Sequence, residues 1–206
     1  MANETKSITS RAPLVGVLAI QGDFEAHAKR LQELGAETRL VRLPSDLDDL
    51  DGLIIPGGES TTFLKFLERD GFAGKLKTFV ADHPTMGTCA GCILLAEKIE
   101  RPAQDSLGLL HVTVERNAYG RQNDSAIVSG ATSLDGGPLE MVFIRAPRIT
   151  AAGNDVTVLA ERENSPTLVR QGDLLAATFH PELSDDTRVH QLFVDMVTER
   201  MRQTAA

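Results

Sequence analysis

The first half of the chain alternates short apolar runs with segments whose apolar residues recur at helical spacing. Residues 14–20 form a nearly continuous apolar run, which is typical of a strand buried on both faces of a parallel sheet. In the segment that follows, side chains suited to one helix face recur at Phe24, His27, Ala28, Leu31 and Leu34. Gly35 is expected to end this helix.

The same alternation continues to the middle of the chain. It predicts strands at 38–42, 52–55 and 85–88 and helices at 60–69, 72–82 and about 90–97. Because parallel strands need crossover helices, this βαβ series predicts a three-layer α/β/α sandwich with a mostly parallel sheet. Beyond it, shorter strand-like pieces with antiparallel excursions are expected at 110–115, 140–144, 156–161, 167–170 and 174–179. A last helix, from about residue 186, should pack back on the sheet.

Length and composition predict one soluble domain. The 206 residues suffice for a single α/β core over 13–206, and the polar leader 1–12 lacks the apolar stretch of a secretory signal and is expected to be disordered. The net charge of -8 argues against a nucleic-acid or anionic-membrane partner. Two closely spaced cysteines are no disulfide framework, so we expect a reducing, cytoplasmic location.

A cysteine lies between glycines directly after a predicted strand, in Gly87-Thr88-Cys89-Ala90-Gly91. This G-x-C-x-G pattern is the sulfur version of the nucleophile elbow, a sharp strand-to-helix turn that lifts the nucleophile above a sheet. Small flanking residues leave room for neighbouring backbone, and the positive end of the following helix favours a thiolate. The pattern predicts covalent chemistry at Cys89, although a cysteine buried in a tight turn also fits it.

A histidine and a carboxylate stand close together far downstream, in Thr178-Phe179-His180-Pro181-Glu182. A cysteine nucleophile needs a base that takes and returns a proton, and the base needs a third group that orients it. Pro181 has a fixed φ and biases His180 toward an extended conformation. We therefore predict a catalytic triad of Cys89, His180 and Glu182. The competing interpretation is a strand end with a solvated Glu182.

A Pro-Gly-Gly turn follows the predicted strand at 52–55, and Glu59 and Ser60 then begin a helix. Consecutive glycines let backbone N–H groups point into a cavity, so the N–H groups of Gly58 and Ala90 are the predicted oxyanion hole. A phosphate-binding loop or a plain connection would also fit the turn. Because the sequence has neither a Walker pattern nor G-x-G-x-x-G, nucleotide binding has weak support.

Several segments together are similar to one enzyme family. They are Ala19-Ile20-Gln21-Gly22, residues 56–62, residues 87–91, Val114-Glu115-Arg116 with residues 117–122, Phe143-Ile144-Arg145-Ala146-Pro147 and residues 179–183. The chain resembles the class I, triad-type glutamine amidotransferases, and within them the glutaminase subunits of pyridoxal 5'-phosphate synthase. Residues 115–122 and 143–147 are the most particular to those subunits, whereas the elbow and the His-Pro-Glu segment are shared by many amidotransferases. Two departures are Cys92, where the family commonly has an aliphatic residue, and the polar leader.

The resemblance implies a fold, a reaction and a partner. The fold is flavodoxin-like, and the reaction is hydrolysis of L-glutamine to glutamate and ammonia through a thioester, with no cofactor and no metal. The ammonia would serve a synthase subunit that builds pyridoxal 5'-phosphate from ribose 5-phosphate and glyceraldehyde 3-phosphate. The two subunits would form an equimolar complex with twelve copies of each.

Binding of glutamine requires groups for an ammonium and a carboxylate. Glu59 is the candidate beside the ammonium, and Arg116 and Arg145 are candidates for the carboxylate, which a guanidinium can bind bidentately. The resemblance assigns the pocket to Gly58, Glu59, Ser60, Arg116, Ile144 and Arg145. Gln21 is expected on the side of the site that faces the partner.

Other readings of the sequence remain open. Cys89 and Cys92 form a C-x-x-C pair, which could be redox-active or half a zinc site, but Cys92 also fits a small core residue. Each histidine other than His180 is expected to be a surface or hydrogen-bonded core residue. Alternative functions are an amidotransferase subunit for another pathway, such as imidazole glycerol phosphate synthesis, a stand-alone γ-glutamyl hydrolase, or a non-catalytic regulatory subunit on the same fold.

Overall fold

The computed structural model describes residues 11–68, 71–116 and 125–205. Its strands are β1 (Leu14–Leu18), β2 (Glu37–Val41), β3 (Gly52–Ile55), β4 (Thr85–Thr88), β5 (Ala96–Glu100), β6 (Leu110–Glu115), β7 (Ala126–Gly130), β8 (Leu139–Phe143), β9 (Arg148–Ala152), β10 (Thr157–Arg162), β11 (Ser165–Gln171) and β12 (Leu174–Ala177). Its α-helices are α1 (Phe24–Glu33), α2 (Ser60–Leu67), α3 (Phe72–Asp82), α4 (Ala90–Leu95) and α5 (Arg188–Thr204). Short 3-10 turns span Pro44–Leu47 and Pro181–Leu183. The predicted leader, apart from Arg11 and Ala12, and the motif segment 117–122 lie outside the described residues.

A seven-stranded sheet in the order β10-β11-β12-β4-β3-β1-β2 forms the centre of the molecule. The five strands from β12 to β2 are parallel, and β11 runs antiparallel to both of its neighbours. The predicted fold class, a mixed α/β protein with a mostly parallel sheet, is confirmed. Parallel pairing aligns the carboxyl ends of β3, β4 and β12 at one edge, where ligands bind in open α/β sheets.

Alternate residues of the central strands face two separate cores. In β3, Leu53 and Ile55 pack into the core that also holds apolar residues of α2, α3 and α4, whereas Ile54 faces the core that holds residues of α1 and α5. This division follows from the two-residue period of a strand and produces the three predicted layers. Among the described helices, none combines the length and the apolar character needed to span a bilayer.

The second half of the chain builds two smaller sheets. One has the order β5-β6-β9, and the other is the antiparallel pair β7-β8. The predicted helix at 90–97 is too long, because α4 ends at Leu95 and Ala96–Glu100 is strand β5. Residues such as Ala, Glu and Lys favour helices locally, and pairing with β6 overrides that preference. Strands β7 and β9 were not predicted from the sequence.

The turn between β4 and α4 holds Cys89 in a strained backbone conformation, with φ 49° and ψ -103°. The residues two positions before and two positions after Cys89 must be glycine, because other backbone passes very close to them. A Cβ atom built on Gly91 would lie 2.0 Å from the carbonyl oxygen of Ile55, and one built on Gly87 would lie 2.6 Å from the carbonyl carbon of Gly91. The predicted strand-turn-helix elbow is therefore present, and it is packed directly against the end of β3.

This close approach predicts a large difference between two glycine-to-alanine substitutions. Gly91→Ala should lower the free energy of unfolding by roughly 1–3 kcal/mol or more, because the methyl group meets backbone that cannot rotate away. Gly74→Ala, on the exposed face of α3 where a Cβ meets nothing within 4 Å, should raise it by about 0.5–1 kcal/mol. Urea denaturation of both variants measures the effect. Equal stabilities of the two variants would contradict the described packing.

Candidate active site

A cavity of about 340 Å³ opens at the carboxyl ends of the central strands. It is lined by Gly22, Asp23, Gly57, Gly58, Glu59, Ser60, Cys89, Ile93, Arg116, Ile144, Arg145, Pro147 and His180. The structure thus brings together most of the residues that the sequence predicted for the site, from segments far apart in the chain. Among the predicted residues, Gln21, Ala90 and Glu182 do not line this cavity.

Cys89 and His180 converge beside Gly57. A Cβ atom on Gly57 would lie 2.5 Å from Cε1 of His180 and 3.5 Å from Cβ of Cys89, so only a glycine leaves room for the imidazole. The backbone N–H of His180 donates to the carbonyl oxygen of Val142 in β8, at 2.8 Å. Strand β8 therefore holds the backbone that carries the imidazole.

Glu182 lies behind His180, away from the cavity. The Nδ1–H of His180 donates to Oε1 of Glu182 at 2.7 Å, and the carboxylate is completely buried on the Pro181–Leu183 turn. This bond fixes the tautomer and leaves Nε2 of the imidazole for a partner on the other side of the ring. Cysteine, histidine and carboxylate are thus arranged in the order of a nucleophile, its base and the group that orients the base.

The environment of His180 favours its protonated form. Burial by itself would lower the pKa of His180, but the hydrogen bonds with Cys89 and Glu182, together with their charges, outweigh it and raise this pKa to about 10. An imidazolium next to a thiol favours the thiolate, which is the nucleophilic form of cysteine. The pair can therefore attack an electrophilic carbon and protonate a leaving group.

The side chain of Gln21 contacts the loop that follows β3. The side-chain amide of Gln21 donates to the carbonyl oxygen of Glu59, and a Cβ on Gly58, whose φ is 139°, would lie 2.9 Å from Cδ of Gln21. Gly58 lies at the cavity, and Ala90 is the first residue of α4 beside Cys89. The two predicted oxyanion donors therefore flank the cysteine, and Gln21 supports the loop that carries one of them.

Glu59 is the N-cap of helix α2, and both of its carboxylate oxygens accept hydrogen bonds there. Its oxygens accept bonds from the backbone N–H and the hydroxyl of Thr61 and from the same two groups of Thr62. These bonds lower the pKa of Glu59 to about 2. A carboxylate has about four lone-pair positions, and the four donors occupy them. Glu59 can therefore attract a substrate ammonium by its charge, but a direct bond would have to displace a threonine hydroxyl.

The other predicted pocket residues surround the cavity on its remaining sides. Arg116, at the end of β6, is mostly buried and its Nη2 lies 3.9 Å from Oε1 of Glu59. Ser60 is buried and donates to Gln104 at 3.0 Å. Ile144 is half-buried, and Arg145 is exposed with a φ of 45°. Two arginines thus line the same cavity, which suits a ligand that has a carboxylate of its own.

Two buried histidines lie behind the predicted triad, and the sequence analysis, which expected surface or hydrogen-bonded core residues at these positions, did not connect them with the site. His27 and His190 are completely buried, and Nδ1 of His27 lies 3.0 Å from Nε2 of His190. Nε2 of His27 lies 3.2 Å from Oγ1 of Thr88 and 3.3 Å from Oε2 of Glu182. The available signal was His27 on the apolar face of α1, but nothing in the sequence pairs it with a residue 163 positions away.

Cys92 lies in the core, as predicted. It is fully buried on α4, and burial, aided by the charge of Cys89, raises the pKa of its thiol to about 12. Both cysteines are free. A thiol with so high a pKa is a poor nucleophile, so the cavity offers Cys89 alone of the two for covalent chemistry.

Comparisons with known proteins place this geometry in a family. The model of the SNO glutamine amidotransferase family matches residues 17–199. The chain is 57% identical over 183 residues to "Pyridoxal 5'-phosphate synthase subunit PdxT" of Koribacter versatilis, covering 89% of this chain and 95% of that protein. It belongs to the SNO glutamine amidotransferase family. This SNO family chain is also 50% identical over 187 residues to the protein of the same name from Thermotoga neapolitana, covering 89% and 98% of the two chains.

Solved structures agree with this membership. A structure described as a glutamine amidotransferase has a TM-score of 0.83 and 44% identity, covering 89% of this SNO family chain and 98% of its own. A structure described as a glutamine amidotransferase from Thermotoga maritima has a TM-score of 0.58 at 13% identity, over 95% and 86% of the two chains, and shares the fold. The resemblance drawn from the sequence motifs and the prediction of a glutamine amidotransferase enzyme are both confirmed.

The hydrogen bond between His180 and Glu182 predicts a lower pKa for His180 in Glu182→Gln. Removing the carboxylate removes both a hydrogen bond and a charge that raise this pKa, so the value should fall from about 10 toward 6.5. Because the folded-state pKa is raised, protonated His180 stabilises the fold below about pH 6.5 and this contribution is lost as the pH rises through 10. In Glu182→Gln the loss should occur at lower pH.

An NMR titration of the His180 ring measures this pKa directly. Asp155→Asn is the matched control, since Asp155 pairs with His111 at an exposed site and should leave the His180 titration unchanged. An unchanged His180 pKa in Glu182→Gln would contradict the conclusion that the Glu182 carboxylate raises this pKa.

Proposed function

We propose that this chain is the glutaminase subunit of a pyridoxal 5'-phosphate synthase, and that it hydrolyses L-glutamine to glutamate and ammonia. The observation that carries the proposal is the meeting of Cys89 and His180 at one cavity, with the buried Glu182 hydrogen-bonded to the far side of the imidazole. Membership of the SNO glutamine amidotransferase family and the names of the PdxT relatives support the choice of substrate and pathway.

In the proposed mechanism, the thiolate of Cys89 attacks the side-chain amide carbon of glutamine. The resulting oxyanion accepts bonds from the backbone N–H groups of Gly58 and Ala90. His180 donates its proton to the amide nitrogen, the C–N bond breaks, and ammonia leaves a γ-glutamyl thioester. His180 then takes a proton from water, whose oxygen attacks the thioester carbon, and glutamate and the thiolate are released. Glu182 orients and charges the imidazole throughout.

The proposed glutamine pocket consists of the remaining charged and apolar groups around the cavity. Arg116 and Arg145 bind the α-carboxylate, and the charge of Glu59 attracts the α-ammonium group. Ser60, Gly58 and Ile144 complete the walls beside the substrate. The occupied lone pairs of Glu59 support an electrostatic role for this residue more than a direct bond.

The proposed partner is a synthase subunit that consumes the ammonia. Free ammonia would be lost to solvent, so coupling hydrolysis to the docked synthase is chemically useful. Gln21 faces this partner in the proposal, and it touches both Gly58 and Glu59. Docking near Gln21 can therefore reorient the peptide at Gly57–Gly58, where glycine permits a flip at low steric cost. An assembly of twelve copies of each subunit, a cytoplasmic location and a single glutaminase domain over 13–206 belong to the same proposal.

Glutamine turnover with and without the synthase tests this function. At saturating glutamine, the complex should turn over about 10²-fold faster than the isolated subunit, because one oxyanion donor is turned away without the partner. Turnover in neither state would overturn the glutaminase assignment. Equal turnover in both states would remove the switch and favour a stand-alone hydrolase.

The two cysteines should respond oppositely to substitution. Cys89→Ala should reduce glutamine hydrolysis to background, whereas Cys92→Ala should retain most of the activity, because its thiol is buried in the core. A glutamine-mimicking electrophile followed by mass spectrometry identifies the labelled cysteine. If the label is found on Cys92 while Cys89 is unmodified, the assignment of Cys89 as the nucleophile is wrong.

A further inference from the structure

One oxygen of the buried Glu182 carboxylate has no hydrogen bond among the described residues. Oε1 accepts the bond from His180, but Oε2 is shielded from solvent and no donor meets it with good geometry. An unpaired oxygen on a buried carboxylate is costly, since a charged group that loses water must gain other donors. The ring nitrogen Nε2 of His27 faces this oxygen at 3.3 Å, just beyond the usual hydrogen-bond range.

The arrangement of the two buried histidines decides which nitrogen of His27 carries the proton. If Nδ1 were protonated, it would donate to His190, and the lone pair of Nε2 would face the lone pairs of Oε2 of Glu182. Nδ1 of His190 would then be a buried donor without an acceptor in the described chain. With the proton on Nε2, His190 donates to His27, and the N–H of His27 points at Oε2 of Glu182 and Oγ1 of Thr88. Among these described groups, the second tautomer leaves unpaired only an acceptor, Nδ1 of His190.

We infer that His27 is a positioning residue whose Nε2–H group holds the second oxygen of Glu182, so that the first oxygen stays directed at His180. The inference rests on the proposed function, since it extends the proposed triad by one residue. His27 does not line the cavity, so it acts on the substrate only through Glu182 and His180. The same N–H reaches the hydroxyl of Thr88, which directly precedes Cys89. His27 therefore contacts both Glu182 and the residue next to the nucleophile.

A neutral His27 suits this role better than a charged one. Burial, followed by the charges of His190 and His180, holds the pKa of His27 well below 6.5. A neutral ring supplies a hydrogen bond without cancelling the negative charge of Glu182. That charge therefore remains available to the imidazolium of His180, which needs it when the thiolate attacks.

Three substitutions of His27 distinguish its two ring nitrogens. The amide nitrogen of glutamine can take the place of Nε2, whereas that of asparagine takes the place of Nδ1. In the complex with the synthase, His27→Leu should lower kcat for glutamine hydrolysis about 10-fold or more, with KM nearly unchanged. His27→Gln should restore much of this kcat, and His27→Asn should not. Rescue by asparagine alone would assign the effect to the contact with His190 and overturn the inference.

Leu31→Ala is the matched control for a merely structural effect. Leu31 lies one turn after His27 on α1 and is completely buried. Its side chain packs in the core that also contains apolar residues of α5. Its truncation should lower the free energy of unfolding while the folded protein keeps its kcat. A loss of kcat in Leu31→Ala as large as that in His27→Leu would show that α1 acts through packing, and the inference would fail.

A double-mutant cycle and a tautomer measurement complete the test. In the Glu182→Gln background, His27→Leu should cause little further loss of kcat, because the two residues act as one unit. Independent, multiplying losses would contradict the inference. Nitrogen-15 NMR of the isolated chain should show His27 protonated at Nε2, and protonation at Nδ1 would overturn the inference whatever the activity. Absence of glutamine turnover in the wild-type complex would instead reject the proposed function, and leaves the tautomer result standing on its own.

Discussion

The site depends on the contact between Gly91 in the first turn of α4 and the carbonyl group of Ile55 at the end of β3. No side chain fits between them, since a Cβ on Gly91 would lie 2.0 Å from that oxygen. Ile55 continues directly into the Pro56–Gly58 loop, and Gly91 is two residues beyond Cys89. One backbone contact therefore sets the distance between the elbow that carries the thiol and the loop that carries the proposed oxyanion donor.

The electrostatics of the site centre on a carboxylate that water cannot reach. A buried charge destabilises a fold unless other groups pair with it. Nε2 of His27 lies 3.3 Å from one oxygen of Glu182, and the Nδ1–H of His180 donates to the other oxygen at 2.7 Å. The pairing works in both directions, because the carboxylate also raises the pKa of the imidazole that it binds. The burial that makes Glu182 costly thus makes its effect on His180 strong, since a low local dielectric screens charges poorly.

Local features and segments that carry a motif were predictable in this chain, whereas distant contacts outside the motifs were not. A few consecutive residues suffice to predict β1, β3 and the turn at Cys89. Burial on both faces requires an apolar run in the two strands, and close backbone approach requires glycines around Cys89. Strand β5 was missed because its residues favour a helix and only pairing with β6 makes them a strand. The capping of α2 by Glu59 and the contact of His27 with His190 depend on positions that the fold alone brings together.

The residues proposed for chemistry and those proposed for recognition come from different parts of the fold. Cys89 and His180 follow strands of the large parallel sheet, whereas Arg116, Ile144 and Arg145 follow β6 and β8 of the two small sheets. The backbone bond from His180 to Val142 connects the two parts, so the residues after β8 are placed relative to the imidazole. Because loops on small sheets can change without moving the central strands, this division lets one elbow and one histidine serve substrates of different shapes. The fold alone therefore does not fix the substrate, and in the proposed function the guanidinium groups around the cavity select it.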